Sequence, residues 1–558
     1  MESVDVTGTG CSRFRRAWRS AKTGFTTAEP FSRVPGSNVF AGGNAVYRQP
    51  NILFIMADDH AAKAISAYGS RIVKTPSIDR ITEEGVRLDH CYVTNSICTP
   101  SRATILTGTY NHVNGVTTLA TLLDNRWPNV AKSLQVGGYA TAIFGKWHLG
   151  EGPRHRPAGF DDWCVLPGQG AYFDPEMISP DGARHHRGYV TDLITDLCLD
   201  WLEARDRDRP FFLMCHHKAP HRAFEPAPRH ARLFEGETIS VPETFDDDYK
   251  NRARAAAAAR MRVRVDMTYE DLGLAQPEGL AHYWDEETGR PDRAKVPDLE
   301  DPTGLVLFDR NTGERFTFDS KHELDHFKYQ RYIKRYLGTI VGIDENVGRL
   351  LDWLDDAGIA ENTIVIYTSD QGFFLGDHGW FDKRFIYEES LQMPFLIRYP
   401  AGFGSGVADA IATNVDFAPT FLDYAGLSVP SYMQGRSLRP ILEGRMPEDW
   451  QQVAYHRYWM HKDSIHNAFA HYGIRDQRHK LIYWYNKPLD QPGARSGDEL
   501  PEWELFDCEV DPLELFNVFH NPAKANVVRD MIAKLDAKLA EIGDIPEHDT
   551  AAILGDLA

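Results

Sequence analysis

The stretch NILFIMADD, residues 51–59, runs apolar from Ile52 to Ala57 and then closes on two aspartates. A half-exposed strand alternates polar and apolar residues, so an unbroken run predicts a strand covered on both faces. The carboxylates of Asp58 and Asp59 then stand at its C-terminal end. The same arrangement recurs along the chain. YATAIF (139–144) leads into Lys146 and His148, PFFLMCHH (210–217) into the segment from His216 to His221, and NTIVIYTSDQG (362–372) into Asp370 and Gln371. PFLIRYP (394–400) is a further buried strand. Helical patterns separate these runs; the longest, HFKYQRYIKRYLGTIVGIDENVGRLLDWLDDAG, is stopped by Gly358. Strands alternating with helices predict an α/β fold: a large mixed central sheet with helices on both faces. Sites in such sheets form beyond the carboxyl ends of the strands, which is where the polar clusters fall.

The chain has 558 residues and 42% hydrophobic content, enough for a large core and more than one domain. Residues 1–48 are polar and rich in Gly, Ser and Thr, and are expected to form a disordered extension. Arg15-Arg16 hints at an export signal, but no apolar core or small-residue cleavage site follows, so no signal peptide is expected. The catalytic domain is expected over 49–430, with a Pro-, Asp- and Arg-rich insertion at about 225–322 near the substrate pocket. Residues 431–558 read as a smaller C-terminal α+β subdomain, with a small antiparallel sheet around HKLIYWY and a terminal helix in VVRDMIAKLDAKLAEIG.

The formal net charge is -19, which repels polyanions and speaks against nucleic acid as a partner. No apolar run reaches the roughly 20 residues that span a bilayer. The seven cysteines are odd in number and widely spaced, which suits a reduced compartment better than a disulfide framework. A cytoplasmic location is the corresponding expectation.

One cysteine has unusual neighbours. In ICTPSRATILTG (97–108), Cys98 precedes Pro100, a residue suited to the first turn of a helix. That places Cys98 just before a helix N-terminus, where unpaired backbone N–H groups favour negative charge. Arg102 lies one turn on and can point back at the same spot. Asp58, Asp59, Asp370 and Gln371 offer only oxygen donors, a set suited to Ca²⁺ with Mg²⁺ as runner-up; zinc would recruit His or Cys. If the strand continues, Lys146 and His148 point to one face. His221 follows Pro220 in a loop, His216 and His217 read as packing or supporting groups, and Lys383 lies beyond a Gly-rich loop.

The run Cys-x-Pro-Ser-Arg-x-x-x-Leu-Thr-Gly resembles the signature of type I sulfatases, members of the alkaline-phosphatase-like superfamily. MADDH, GKWHLG, HKAPH, TSDQGFFLGDHGWFDK and WELFDCEVDPLELFNV resemble further motifs of that family, and the resemblance covers about 49–520. It implies that a maturase oxidises Cys98 to formylglycine. It also implies a metal held by Asp58, Asp59, Cys98, Asp370 and Gln371. Catalytic roles fall by the same resemblance to Cys98, Arg102, Lys146, His148, His221 and Lys383. Many members carry Asn or His where Gln371 stands. The implied reaction is hydrolysis of a sulfate ester on a small molecule or glycan. SDQGFFLGDHGWFDKRFIYEESLQMPFLIRYP and AHYGIRDQRHKLIYWY look most like carbohydrate sulfatases, N-acetylglucosamine-6-sulfatase-like members especially. The aromatic, His-rich stretch from Tyr455 to Tyr472 would serve as a sugar-facing rim or as a packed interface. Two other readings stay open: a phosphonate monoester or phosphodiester hydrolase with the same nucleophile, and a non-catalytic glycan-binding relative.

Overall fold

A computed structural model describes residues 49–280, 284–285, 290–291, 294–497 and 499–556. The extension expected over 1–48 lies outside the described residues. The large sheet takes ten strands: β1 (Asn51–Asp58), β2 (Gly85–Leu88), β3 (Ala140–Lys146), β4 (Asp162–Leu166), β5 (Glu176–Ser179), β6 (Gly182–His185), β7 (Phe211–Pro220), β8 (Thr363–Ser369), β9 (Phe395–Arg398) and β10 (Gly406–Ala408). Their spatial order is β10-β2-β9-β8-β1-β7-β3-β4-β5-β6. The five central strands, β8, β1, β7, β3 and β4, are mutually parallel, while β9, β5 and β6 run antiparallel to their neighbours. All five parallel strands therefore end on one edge, and that edge carries Asp58, Lys146, His221 and Asp370.

The expectation that the 51–58 run is covered on both faces holds, and its side chains divide strictly. Ile52, Phe54 and Met56 enter one core. They pack with Ala103 and Ile105 of the helix Cys98–Thr107 and Phe417 and Phe421 of an eight-residue helix, Phe417–Tyr424. Leu53, Ile55 and Ala57 enter the opposite core. Their partners include Ile78 and Ile81 of the helix Pro76–Glu83, Val190 and Ile194 of Val190–Ala204, and Ile343 and Leu350 of Lys321–Asp356. A strand that alternates between two cores has no polar face, and each large side chain buried this way contributes about 1.5–3 kcal/mol.

The helix Lys321–Asp356 is longer than its apolar pattern, because Ser320 caps it by accepting the Glu323 N–H at 3.3 Å. Its first half carries a third core. Tyr329, Ile333 and Leu337 pack there on Val263, Met267, Leu272, Leu307 and Phe318 from the described part of the 225–322 insertion. Phe373, Leu375 and Phe381, from the loop after β8, join the same core. The insertion thus braces that loop, which explains why it lacks a strong period of its own.

Beyond the large sheet, Ala454–Tyr458, His471–Arg475, His479–Trp484 and Glu502–Asp507 form a four-stranded antiparallel sheet. The helix Ala525–Ile542 covers it through Val528, Met531 and Leu535. Tyr455 and Tyr472 are buried in this core and Tyr458 in the first, so the aromatic stretch packs and does not form an open rim. Residues from 49 onward belong to one compact unit. Among the described residues no helix is long and apolar enough to cross a membrane.

Candidate active site

Cys98 opens the helix Cys98–Thr107; the sequence expectation put it one position earlier, but Ile97 is the cap residue and supplies no side-chain cap. Pro100 is therefore the third helical residue. The loop before the helix is held from the C-terminal sheet, where His456 Nε2 accepts the Ser96 N–H at 3.0 Å and Thr94 O accepts the Arg457 N–H at 2.9 Å. From the start of the second turn Arg102 reaches under the site. Its Nε donates to Asp370 Oδ2 at 3.0 Å, and its Nη1 donates to the Lys146 carbonyl at 2.8 Å. Its Nη2 lies 2.9 Å from Asp370 Oδ2 and 3.6 Å from Asp58 Oδ1.

Two lysines enter from other elements. Lys146 ends β3, and its Nζ pairs with Asp58, donates to Gln169 Oε1 at 2.5 Å and lies 3.9 Å from Cys98 Sγ. Gly145 makes this possible: at φ 102° it lies so close to β7 that a Cβ would meet the His216 carbonyl at 2.0 Å. Lys383 comes from the loop beyond β8 and donates to both Asp59 oxygens, at 2.5 and 2.7 Å. Gln371 Nε2 donates to Asp59 Oδ1 and lies 4.0 Å from Cys98 Sγ. Its neighbour Gly372 packs so tightly that a Cβ would meet the Glu389 carbonyl at 2.2 Å.

The strand does not continue to His148, as the sequence expectation required. His148 turns into the left-handed region at φ 53°, and its Nδ1 lies 3.5 Å from Thr99 Oγ1. A turn, not strand alternation, brings it beside Lys146. His221 lies in the loop after β7 as expected. Its Nδ1–H donates to the Arg222 carbonyl at 2.7 Å, leaving Nε2 toward the site, 3.8 Å from Asp59 Oδ2. His216 supports the site from below, 3.2 Å from the Lys146 carbonyl, and His217 faces away, 3.6 Å from Cys215 Sγ. Asp59, His148, Asp382 and Arg384 all have positive φ, from 53° to 113°. Strained backbone of this kind persists only where the surroundings enforce it.

The charges set the chemistry. Burial pushes the Cys98 thiol well up, and Asp58 adds to the effect. A thiol kept protonated is a poor nucleophile, so the unmodified cysteine is not suited to attack. Burial works to raise Asp58, but Lys146 and the other cations hold it well below the usual carboxylate range. Burial pushes Asp59 up to about 6 against the pull of Lys383, and Asp370 up to about 7 with Asp58 adding repulsion. Burial, followed by Lys146, holds His148 and His221 well below their ordinary value, so both imidazoles are neutral near pH 7.

Oxygens of Asp58, Asp59 and Asp370 converge within 4.8 Å of one another, all buried. Asp58 Oδ1 and Gln371 Oε1 are buried acceptors without a hydrogen-bond partner. Converging buried carboxylates with two spare acceptors fit a hard cation. A second group, Asp58, Cys98 and His221, also converges and shares Asp58 with the first.

Other buried partners had no motif to announce them. Gln169 anchors Lys146. Around Lys383, Asp382 binds Arg384, lies 3.2 Å from His466 Nε2 and 3.6 Å from Arg222 Nη1. His466 is 84 residues away in sequence, so only folding could place it there.

A sulfatase family model matches residues 50–427, and a model for the C-terminal part of N-sulphoglucosamine sulphohydrolase matches 376–541. An N-acetylglucosamine-6-O-sulfatase of Bacteroides thetaiotaomicron is 41% identical over 518 residues, covering 91% of this chain and 90% of the relative. An arylsulfatase of Clostridium perfringens is 25% identical, covering 85% and 91%. A solved structure of a protein in complex with its substrate D-glucosamine-2-N,6-O-disulfate superposes with a TM-score of 0.78 at 39% identity, covering 90% of this chain and 100% of that one. The phosphonate monoester hydrolase of Agrobacterium radiobacter, at 21% identity and a TM-score of 0.63, shares the fold. With the motifs brought together on one sheet edge, the chain belongs to the sulfatase family and is a sulfuric ester hydrolase.

Proposed function

We propose that this chain removes the 6-O-sulfate of a glucosamine-type sugar, with formylglycine made from Cys98 as nucleophile and Ca²⁺ as its metal. The observation that carries the mechanism is the closure of Asp58, Lys146 and Gln371 around the Cys98 side chain. The substrate rests on the 41% identical 6-O-sulfatase and on the neighbour bound to a disulfated glucosamine.

Asp58, Asp59, Asp370 and Gln371 would hold the cation, which supplies Lewis-acid stabilisation of negative charge at the nucleophile. The hydrated aldehyde offers two hydroxyls on one carbon. One, ionised with its proton passed to solvent, attacks the sulfur, the bond from sulfur to the sugar oxygen breaks, and His221 protonates the departing oxygen with Lys383 beside it. His221 is neutral at rest, and the bound anionic sulfate favours its protonation at Nε2. His148 then takes the proton of the second hydroxyl, the carbon–oxygen bond to sulfate breaks, and the aldehyde returns to be rehydrated. Lys146 and Arg102 face the charge that spreads over the transferring group. A maturase that oxidises Cys98 is a required partner.

Sulfate release from a panel of sulfated monosaccharides tests the substrate. Activity on 6-sulfated glucosamines is expected, and faster turnover of a phenyl phosphonate ester than of p-nitrophenyl sulfate would transfer the reading to phosphoryl esters. The peptide containing Cys98, taken from active enzyme, should be about 18 Da lighter than its thiol form.

A further inference from the structure

The stretch KHELDHF, residues 321–327, places two histidines four apart where the helix Lys321–Asp356 begins. Residues at i and i+4 are neighbours on a helix surface. His322 and His326 are both exposed, and their rings stack with centroids 6.5 Å apart and planes at 27°. Among the described residues neither imidazole has a hydrogen-bond or ion-pair partner. Two imidazoles that share one transition metal stand about 2.0–2.1 Å from it, so their nitrogens lie roughly 3 Å apart. Exposed side chains on adjacent turns reach that spacing by rotation about their own χ angles, with the backbone unchanged.

The surroundings suit a cation. A helix N-terminus by itself disfavours positive charge. Here Asp319, Glu323 and Asp325 accompany the pair, and the nearest cation, Lys321, is paired with Asp298. Asp325 follows His322 by three residues, a neighbouring position on the helix surface. It is buried, and its Oδ1 has no hydrogen-bond partner, so a spare carboxylate oxygen stands in the same two turns.

The donor type differs from that of the Cys98 site. Ca²⁺ takes oxygen ligands, whereas imidazole suits zinc, copper and nickel. His-Glu-x-x-His on a helix is the pattern in which two histidines hold zinc and the glutamate serves as a general base. Glu323 is not free for that role: its Oε2 accepts the Asp319 N–H at 2.8 Å and helps to close the start of the helix. The chelating pair is kept and the base is engaged elsewhere. Leu324, between the histidines, enters the third core with Val296, Leu307 and Phe318 of the insertion. An ion on the outer face would therefore hold the turns on which the insertion rests. The pair is also remote from the reaction. Tyr336, which donates to the Asp59 carbonyl at 2.8 Å, comes ten residues after His326, about 15 Å along the helix.

We infer that His322 and His326 form a second metal site, which chelates a dication of the zinc, copper or nickel class and fastens the start of this helix without taking part in the reaction.

Calorimetric titration of the untagged, Ca²⁺-loaded enzyme with Zn²⁺ tests the site with the oxygen donors already occupied. The wild-type chain is expected to bind one more Zn²⁺ than His322→Ala/His326→Ala. Each single variant should bind that ion at least about tenfold more weakly, because one imidazole cannot chelate. With Cu²⁺ in place of Zn²⁺, electron paramagnetic resonance should show two nitrogen ligands in the wild type and at most one in either single variant. The melting temperature should rise with Zn²⁺ in the wild type and stay constant in the double variant. Both positions are exposed, so sulfate release by the Ca²⁺-loaded variants without Zn²⁺ should stay within about twofold of wild type. Equal stoichiometry and affinity in the wild type and the double variant would overturn the site. A loss confined to one of the two single variants would overturn the chelate, since a lone histidine would then account for the binding.

Discussion

Two clusters of buried charge lie on either side of the loop from Gly372 to Ser390, and they end differently. In the Cys98 site, Asp58, Asp59 and Asp370 face Lys146, Lys383 and Arg102. Between the C-terminal sheet and the catalytic sheet, Glu388 and Glu514 face Lys480, whose Nζ lies 2.9 and 2.6 Å from them, and Arg475 lies 3.4 Å from Glu388. Each set balances its formal charges. In the second every carboxylate oxygen has a partner: Tyr92 OH donates to the other Glu388 oxygen at 3.0 Å, and the Glu388 N–H donates to Glu514 Oε2 at 2.7 Å, although Lys480 Nζ meets the two carboxylates as an ion pair without hydrogen-bond geometry and burial raises Glu514 as well. The first leaves the acceptors Asp58 Oδ1 and Gln371 Oε1 without a hydrogen bond, Arg102 Nη2 standing 3.6 Å from the former, and burial raises two of its carboxylates to about 6 and 7. A closed cluster joins two sheets, whereas an open one keeps buried acceptors that a cation would use. A divalent cation would then turn a balanced site into a cationic one that attracts a sulfate ester.

The sharpest way to break this contrast lies at the nucleophile. Cys98→Ser is expected to end multiple turnover, a loss of at least about 10³-fold in steady-state rate, because a serine sulfate has no second hydroxyl to expel sulfate. A single sulfation event per enzyme can survive, read by intact-mass spectrometry. Steady-state rates near wild type in this variant would refute the formylglycine mechanism.

The open cluster predicts metal dependence. Asp370→Asn should lower activity more than about 10²-fold and remove bound metal as measured by elemental analysis. Chelation of the native enzyme should do the same, with Ca²⁺ restoring the rate. Full activity in chelator with no metal detected would remove the distinction between the two clusters.

The closed cluster predicts the opposite signature. Lys480→Met leaves two buried carboxylates without their ammonium and should cost about 3–5 kcal/mol of stability. The effect belongs in thermal or denaturant unfolding, with activity per folded molecule little changed below the transition. A large loss of kcat without a loss of stability would show that this cluster, too, serves the site.

The smallest expected effect concerns Glu504, beside the closed cluster. It accepts from Ala253 N–H at 2.6 Å and Trp484 Nε1 at 2.8 Å, and burial pushes it up to about 7 from an ordinary value near 4.5. The folded state therefore binds the proton more tightly than the unfolded one. Its stabilising contribution is complete below about 4.5 and is lost as pH rises through about 7. Glu504→Gln should flatten that part of the stability profile, as read by melting temperatures from pH 5 to 8. A slope identical to wild type would show that the carboxylate is already ionised in the fold.

How much of this was legible beforehand varies by residue. The 51–58 strand and its two cores followed from an unbroken apolar run, and the helix 525–542 from its period. The Cys98 motif was readable because its spacing is local: Cys98, Pro100 and Arg102 lie within five residues of one helix. Strand ends marked Asp58, Lys146 and Asp370 for the same reason, since a polar residue closing an apolar strand is visible in one dimension. His148 was found by its motif but for a mistaken reason, because a left-handed turn replaced the expected strand. Gln169, His456 and His466 carried no signal, since each acts on a residue more than 20 positions away.

Composition, apolar periodicity and short motifs by themselves determined the fold class, the four candidate strand ends and the cysteine proposed as nucleophile. These are decided by interactions within a turn or a strand, and such interactions leave a pattern along the chain. Which buried charges close on one another and which acceptors stay free for a cation were decided only by tertiary structure. Those properties depend on distances between residues far apart in sequence, set by how two sheets and an insertion pack, and packing has no one-dimensional period to read.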